Sequence, residues 1–537
     1  MSDSKPGMSA PDSGVKVRMY RQGLGDCFLL AFPTRGSGRP CYVLIDCGVL
    51  LGTEDAATKM KKVAASLQEA TGGRIDVLVA THQHWDHLSG FQQAKEVFDQ
   101  IEIGQVWVAW TEDPNDAMAN RLRARRETTV RALHAAAQGL RVSGDETSAG
   151  NLEAVLGFFG ELGVDGRPSA IQQAMAYVLG RGNPPRYWRP GDRTELPGVD
   201  GVRVYVLGPP HDDKLLRCSD PTGSGQVYEQ RMALDPEASF GVAALAMMES
   251  MATLGAAEGI AAGSAAATGS LLTGDEEEMK RLSFPFDKNF QVTLDLGRQD
   301  PFFQEHYFGV AGQPSEKEIA WRRIDTDWLG SAGQLGLQLD SDTNNTSLAL
   351  AIELVGSGKV LLFAADAQVG NWLSWHSLQW PREGEPANPV TAADLLRRTV
   401  LYKVGHHASH NATLQDKGLE LMTHPELVAM IPVDEAMAHK PKGGNPNGWD
   451  MPFAPLLARL KQKAKGRVLR VDSGAPPQQP EGISGDEWKE FQKKCDVQPD
   501  YVEITLAEPA SPAPAPRPSP RSRARRGSPA PGSAAGG

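Results

Sequence analysis

The sequence predicts an α/β fold built from two similar halves, and three observations carry that expectation. Short aliphatic, β-branched runs stop abruptly in polar residues, as buried strands do when they reach the end of a sheet. In the first half, Tyr42-Val43-Leu44-Ile45 ends in Asp46-Cys47-Gly48, and Ile75 to Ala80 ends in Thr81-His82. In the second, Val360 to Ala365 ends in Asp366, and Thr399 to Gly405 ends in His406-His407-Ala408-Ser409. The intervals agree: 36 positions from Asp46 to His82 (82 − 46) and 40 from Asp366 to His406 (406 − 366), each with room for a helix and a strand.

The elements follow in order. Met1 to Gly14 is polar and reads as a disordered N-terminus, and Val15 to Tyr20 as the first strand, followed by Gly23-Leu24-Gly25-Asp26-Cys27-Phe28-Leu29-Leu30. Ala56, Met60, Val63, Ala64 and Leu67 form a stripe of helical period between Asp46 and His82. Residues 111–182 read as a helical insertion, with the stripe Leu152, Val155, Leu156, Phe159 and Leu162. The core resumes at Val202 to Pro210, and 15–210 is taken as its first part. Residues 211–335 read as an insertion whose Ala252 to Ser270 stretch is Gly/Ala/Ser-rich, flexible or loosely helical. Strands are expected again from Gln334, with 336–475 as the second part of the core. After Pro476 the chain reads as a linker-like extension to 508, and Pro509 to Gly537, rich in Pro, Ala, Ser and Arg, as disordered.

Composition fits a water-soluble enzyme. A chain of 537 residues with 40% hydrophobic content buries a large core. No run approaches the roughly 20 apolar residues of a membrane span. The N-terminus lacks the apolar segment of a signal peptide. Five scattered cysteines make no disulfide framework and no CxxC metal spacing, so a reducing, cytoplasmic location is expected. The net charge is −11; residues 508–537 carry five arginines and one glutamate, +4, which leaves −15 (−11 − 4) for the rest. An acidic body is a poor general binder of nucleic acid, so nucleic acid enters only through a local basic groove or through the Arg517 to Arg526 tail.

The segment Thr81-His82-Gln83-His84-Trp85-Asp86-His87 decides the chemistry. Its imidazoles and carboxylate cannot all lie in an apolar core without partners. His82 and His84, two apart, project the same way from an extended chain, while Asp86 and His87 lie on the turn that follows and can face a second cation. Neutral imidazole with carboxylate suits zinc or a similar first-row divalent ion.

The H-x-H-x-D-H pattern resembles the signature of the metallo-β-lactamase superfamily of metal-dependent hydrolases. The ordered set GLGDCFLL, LIDCG, THQHWDH, VLGPP, TNNTSLAL, LLFAAD, VGHHASHN and GRVLRVDSG resembles the branch that includes the hydrolase-like domain of DNA-uptake competence proteins. The resemblance implies a four-layer αβ/βα sandwich and two divalent ions, zinc or manganese. It implies that His82 and His84 bind one ion, Asp86 and His87 the other, that Asp366 bridges them, and that His407, or else His406, completes the second. The neighbour of that last ligand faces substrate, so Asp86 and His406 are the expected catalytic residues. Asp46 orients a ligand from outside the metal shell.

This chain departs from the pattern in several places. The usual His before the bridging Asp is missing, and Asn344-Asn345 or His211 is left to fill its position. Ala365 and Ala408 stand where glycine is usual, a change that matters if the backbone there is left-handed. Met451-Pro452 replaces a late His-Pro step, leaving His439 or Lys440 for its substrate contact. Leu271-Leu272-Thr273-Gly274-Asp275 imitates the bridging-Asp motif but precedes TNNTS and lies far from the His pair, so Asp275 is expected on a surface. Trp372, Trp375 and Trp380 read as core packing, with a lid over the cleft as the alternative. The resulting expectation is a dinuclear hydrolase of phosphodiesters or other phosphorylated compounds. A lactone or ester hydrolase and a non-catalytic metal-binding protein are the alternatives. A metal-coordinated water acidified toward pH 7 would serve as the attacking hydroxide.

Overall fold

A computed structural model describes residues 7–219 and 332–508, apart from 37, 143–144, 164–166, 183, 383 and 442–446, and between them 292, 294–308 and 322. Among these residues two large sheets form. The first holds β1 (Gly14–Tyr20), β2 (Phe28–Phe32), β3 (Cys41–Ile45), β4 (Arg74–Ala80), β5 (Glu102–Ala109), β6 (Arg186–Trp188), β16 (Cys495–Val497) and β17 (Tyr501–Ala507), in the order β16-β17-β1-β2-β3-β4-β5-β6. The second holds β7 (Arg193–Glu195), β8 (Val202–Gly208), β9 (Ala349–Leu354), β10 (Lys359–Phe363), β13 (Thr399–Lys403), β14 (Val428–Ile431) and β15 (Val468–Arg470), in the order β15-β14-β13-β10-β9-β8-β7. A small ribbon pairs β11 (Gln379–Arg382) with β12 (Glu385–Thr391).

Side-chain alternation along the strands makes four layers. Val43, Ile45, Val77 and Val79 point to one side of the first sheet, into a core shared with Leu350, Ile352, Leu361 and Phe363 of the second. Phe28 and Phe363 meet there edge to face, ring centres 5.7 Å apart. Leu44 and Leu78 point the other way, onto α1 (Ala56–Thr71) through Met60, Val63 and Leu67, and onto α2 (Trp85–Gln93) through Phe91. On the far side of the second sheet, Leu362, Tyr402 and Ala429 meet Trp372 and Trp375, Leu395, and Leu456 and Leu460. The fold is therefore the expected αβ/βα sandwich. The two strand–Asp–helix–strand–His units occupy equivalent places, because β3 runs parallel to β4 and β10 parallel to β13.

The 111–182 region is largely helical: α3 (Ala117–Val142), α4 (Glu146–Leu156) and α5 (Ala170–Arg181), with Leu152, Val155, Leu156 and Phe159 buried as their spacing predicts. All three tryptophans singled out are core residues, Trp372 and Trp375 on α7 (Val369–Trp375; α6 is Ala332–Asn344) and Trp380 on β11. They are not a lid.

Three expectations are corrected. Strands do not return at Gln334: that stretch is α6, whose Leu335, Leu339 and Thr343 recur at helical spacing and are buried. Its Asp340 to Asn344 run reads as a loop by propensity, and tertiary packing overrides that. The extension after Pro476 is not a linker. Its β17 pairs along its whole length with β1, and Trp488 and Phe491 of a helix over Gly485–Lys494 join the inter-sheet core. The N-terminal stretch is anchored from residue 7 onward, since Met8 is buried, donates its N–H to the Ala70 carbonyl and accepts from Tyr42 Oη. Ala252 to Ser270, Asp275 and the tail from 509 lie outside the described residues.

Candidate metal centre

Both halves deliver their polar residues to the same edge of the sandwich. β4 ends at Ala80, and Thr81 to His84 lead into α2, whose first turn carries Asp86 and His87. Glycines let neighbouring loops settle on that turn. A Cβ on Gly48 would stand 2.4 Å from the Asp86 carbonyl carbon, and one on Gly25 would stand 2.7 Å from the Asp86 oxygen. The Asp26 and Cys47 N–H groups bond to the Asp86 and His87 carbonyls at 3.0 and 2.8 Å. From the other half, β10 ends at Phe363 and leads to Asp366, and β13 leads to His406 and His407.

Asp86, His87, Asp366 and His407 converge, each offering one ligand atom within 4.8 Å of the others, and all four are buried. His87 Nε2 lies 3.1 Å from Asp366 Oδ2, and His407 Nε2 lies 2.9 Å from Asp86 Oδ2. The outer nitrogens of both rings are spoken for. His87 Nδ1 lies 2.8 Å from Asp46 Oδ2, and His407 Nδ1 lies 2.7 Å from the Pro432 carbonyl. A carbonyl only accepts, so Nδ1 carries a proton and Nε2 is the atom turned to the cluster. There, against burial, Asp86 and Asp366 hold the imidazole above its ordinary value; a metal ion would take the place of that Nε2 proton. Asp46 is held in turn by the Thr81 N–H and hydroxyl at 2.8 and 2.7 Å.

Asp26, Asp46 and His87 form a second tight group. We read it as support for His87, because Thr81 already occupies Asp46 and Lys403 Nζ lies 2.5 Å from Asp26. The other pair stands beside the quartet: His82 Nε2 lies 3.1 Å from His84 Nδ1, and the His82 and His87 ring centres are 4.2 Å apart. The Thr81 and Ser347 hydroxyls lie 3.1 and 3.3 Å from His82 Nδ1.

The electrostatics ask for a cation. Burial alone would neutralise His87, yet Asp366, Asp86, Asp26 and Asp46 hold its imidazole well above its ordinary value, so a proton occupies it. Burial likewise opposes the Asp366 charge, but Lys403 and His87 keep its carboxyl well below the ordinary range. His82 is lowered well below its ordinary value, first by burial and then by its histidine neighbours, and burial brings His84 down to about 3. Asp86 Oδ1, His84 Nε2 and His406 Nε2 are buried without a hydrogen-bond partner. Neutral His82 and His84, ionised Asp86 and Asp366 and an unpaired Asp86 Oδ1 suit a divalent ion, which would displace the protons that the carboxylates hold on His87 and His407. The residues present fit the group.

Of the expected residues, His82, His84, Asp86, His87, Asp366, His406 and His407 are brought together. His406 accepts from Ser409 Oγ at Nδ1, 2.9 Å away, leaving Nε2 unpaired, and burial holds it down to about 4 and hence neutral. Of the candidates for the missing ligand, His211 and Asn345 are engaged elsewhere, whereas Asn344 keeps its Oδ1 buried and unpaired. His211 bonds Asp116 at 3.0 Å and stacks on Trp110, half exposed. Asn345 is consumed by backbone partners, including the Leu216 carbonyl and the Gln368 N–H. Asn344 is buried and donates to Asp340 at 3.2 Å. His439 and Lys440 are exposed.

Several residues escaped sequence reasoning. Lys403, completely buried, bonds Asp366 Oδ1 at 3.1 Å and the Ala365 carbonyl at 2.9 Å. Together with the His406 N–H at 3.0 Å it saturates Oδ1, so Asp366 offers Oδ2 alone. A lysine closing an apolar strand three positions before a His pair was the available signal. Phe158 and Phe159 from the helical insertion wall the site, 5.7 and 5.0 Å from the His84 ring between centres. The preference for glycine at these two positions has a cause: Ala365 and Ala408 both hold left-handed backbone, φ 49° and 66°, where a Cβ is strained.

Residues 23–106, which hold GLGDC, LIDCG and THQHWDH, match the metallo-beta-lactamase superfamily. Over this segment the chain is similar to that superfamily. Its matched part supplies Asp46, His82, His84, Asp86 and His87, and the second half of the metallo-beta-lactamase-like sandwich supplies Asp366 and the His pair. A solved beta-lactamase domain protein from Burkholderia ambifaria is 16% identical, with 46% of this chain and 66% of that one covered and a TM-score of 0.22. The chain thus spans 66% of that neighbour's length. No curated protein matches. None of the described helices is long and apolar enough to cross a membrane.

Proposed function

We propose that this metallo-beta-lactamase superfamily domain is a hydrolase that uses two divalent ions, zinc or manganese, on a phosphodiester or another phosphorylated substrate. The observation that carries the proposal is the convergence of Asp86, His87, Asp366 and His407 next to the His82–His84 pair, with Asp86 Oδ1 buried and unpaired. Asp86, His87, Asp366 and His407 would hold one ion, and His82 and His84 the other. Bound divalent ions lower the pKa of a coordinated water toward about 7 and polarise the oxygen under attack.

The protein's own part is positioning. Asp46 and the Pro432 carbonyl fix the His87 and His407 rings, and Lys403 pins Asp366, so these three ligands are held in place before an ion binds. His406 presents a neutral, unpaired Nε2 to a substrate oxygen, and Phe158 and Phe159 keep bulk water off the His84 side. Two adjacent ions suit displacement at phosphorus because they hold attacking and leaving oxygens together. Five free cysteines, three of them buried, support a cytoplasmic setting, and the ordered motif set supports the competence-protein-like branch.

The test is elemental analysis of the purified protein, followed by turnover of a small chromogenic phosphodiester, a lactone and an ester. Two ions per chain with diester cleavage lost in His84→Ala supports the proposal. Cleavage of the lactone or ester alone moves the substrate class, and a metal-free, inactive protein removes the activity. Deleting 509–537 and comparing a long single strand with the small diester at low and high salt tests nucleic acid as substrate. A tail that concentrates it should help only the long strand, and only at low salt.

A further inference from the structure

The His82–His84 pair lacks a third imidazole, yet a carboxylate stands beside it. His84 Nδ1 faces His82 Nε2 at 3.1 Å. If both lone pairs converge on one cation, the proton of neutral His84 is on Nε2. That atom is buried and unpaired, and 3.7 Å away lies Asp340 Oδ1, buried and unpaired as well. The other Asp340 oxygen is taken, since Asn344 Nδ2, one helical turn later on α6, donates to Oδ2 at 3.2 Å. Two buried polar atoms facing each other at this distance are costly unless they pair.

We propose that Asp340 is a positioning residue for the first ion: it receives the His84 Nε2–H and so turns Nδ1 toward the point that His82 Nε2 also faces. The inference rests on the two-ion reading above. An imidazole sends its two nitrogens to opposite sides, so Asp340 approaches from the side away from His82 and is not a ligand of an ion held between them. The Asp340 side chain and Asn344 form a chain, Asn344–Asp340–His84, that fixes the tautomer through the unpaired Oδ1, and a cation on Nδ1 strengthens Nε2–H as a donor. In the loaded site the 3.7 Å gap closes to the ~2.9–3.0 Å of an N–H···O hydrogen bond. Asp340 thereby makes a two-histidine half-site more basic and better ordered.

The test is zinc titration of full-length wild type, Asp340→Ala and Asp340→Asn against a competing chromogenic chelator, with thermal melts of the zinc-free proteins. The expected result is two ions in wild type and a roughly 10–100-fold weakening of one of them in Asp340→Ala. The other constant should be unchanged, Asp340→Asn should recover part of the loss because it keeps an acceptor, and the zinc-free melt should not fall. Unchanged constants in Asp340→Ala, both ions weakened alike, or a lower zinc-free melting temperature with intact zinc affinity would each overturn the role of Asp340 while leaving two-ion binding in place. Wild type that binds no zinc overturns both.

Discussion

His87 and Asp366 meet at 3.1 Å, Nε2 to Oδ2, although 279 positions separate them in the chain. Each ends its own half of the sandwich, so the contact exists only when both halves are folded and docked. The Asp366 side chain should therefore control metal content and fold closure together. Asp366→Ala is expected to lose metal and activity, and His84→Ala to lose at least one ion, measured by elemental analysis after dialysis. Full metal content in Asp366→Ala would show that the quartet is not the metal site.

Asp46 touches no expected ion, but its Oδ2 holds His87 Nδ1 at 2.8 Å. Removing such a partner typically costs 10–100-fold in metal affinity. Asp46→Ala should therefore bind metal ~10–100-fold more weakly while melting at nearly the wild-type temperature in the loaded state at saturating metal. Undiminished affinity in a competition titration would remove Asp46 from the site.

Ala365 and Ala408 hold left-handed backbone beside the ligands. A non-glycine residue there stores roughly 1–2 kcal/mol. Glycine would relieve that strain but lose about 0.8 kcal/mol of methyl burial and roughly 0.5–1 kcal/mol of backbone entropy. Ala365→Gly and Ala408→Gly should therefore be neutral to within about 1 kcal/mol in urea unfolding. A loss above about 2 kcal/mol would mean that methyl packing outweighs the backbone.

His134 sits on α3 with Nε2 buried and unpaired, and burial brings it down to about 4 from its ordinary 6.5. The folded state binds this proton less readily than the unfolded chain does, so stability present above pH 6.5 is lost as pH falls from about 6.5 toward about 4. His134→Leu should blunt that loss by an amount on the order of 1–2 kcal/mol, read as a smaller difference between denaturation midpoints at pH 7 and pH 4.5. An identical pH dependence in the variant would show that His134 stays solvated.

The C-terminal strand is structural. Val502 and Ile504 are buried where β17 pairs with β1. Ile504→Ala should cost about 2–5 kcal/mol, and truncation at Pro476 should yield insoluble or molten protein. A truncated protein with a sharp melt and normal metal content would make the segment an appendage.

The sequence by itself determined the α/β class, the paired strand–Asp–helix–strand–His units and the metal-ligand types, because these are local. A strand that ends in His82, or in Asp366, announces itself through period and composition wherever the rest of the chain goes. What only the tertiary structure decided is the set of partners. That His407 rather than His406 joins Asp86, that Lys403 saturates Asp366 Oδ1, and that Asp340 faces His84 depend on contacts across hundreds of positions. The same holds for β17, which reads in sequence as linker-like extension: its edge backbone groups pair with whichever strand the packing of Val502 and Ile504 brings alongside.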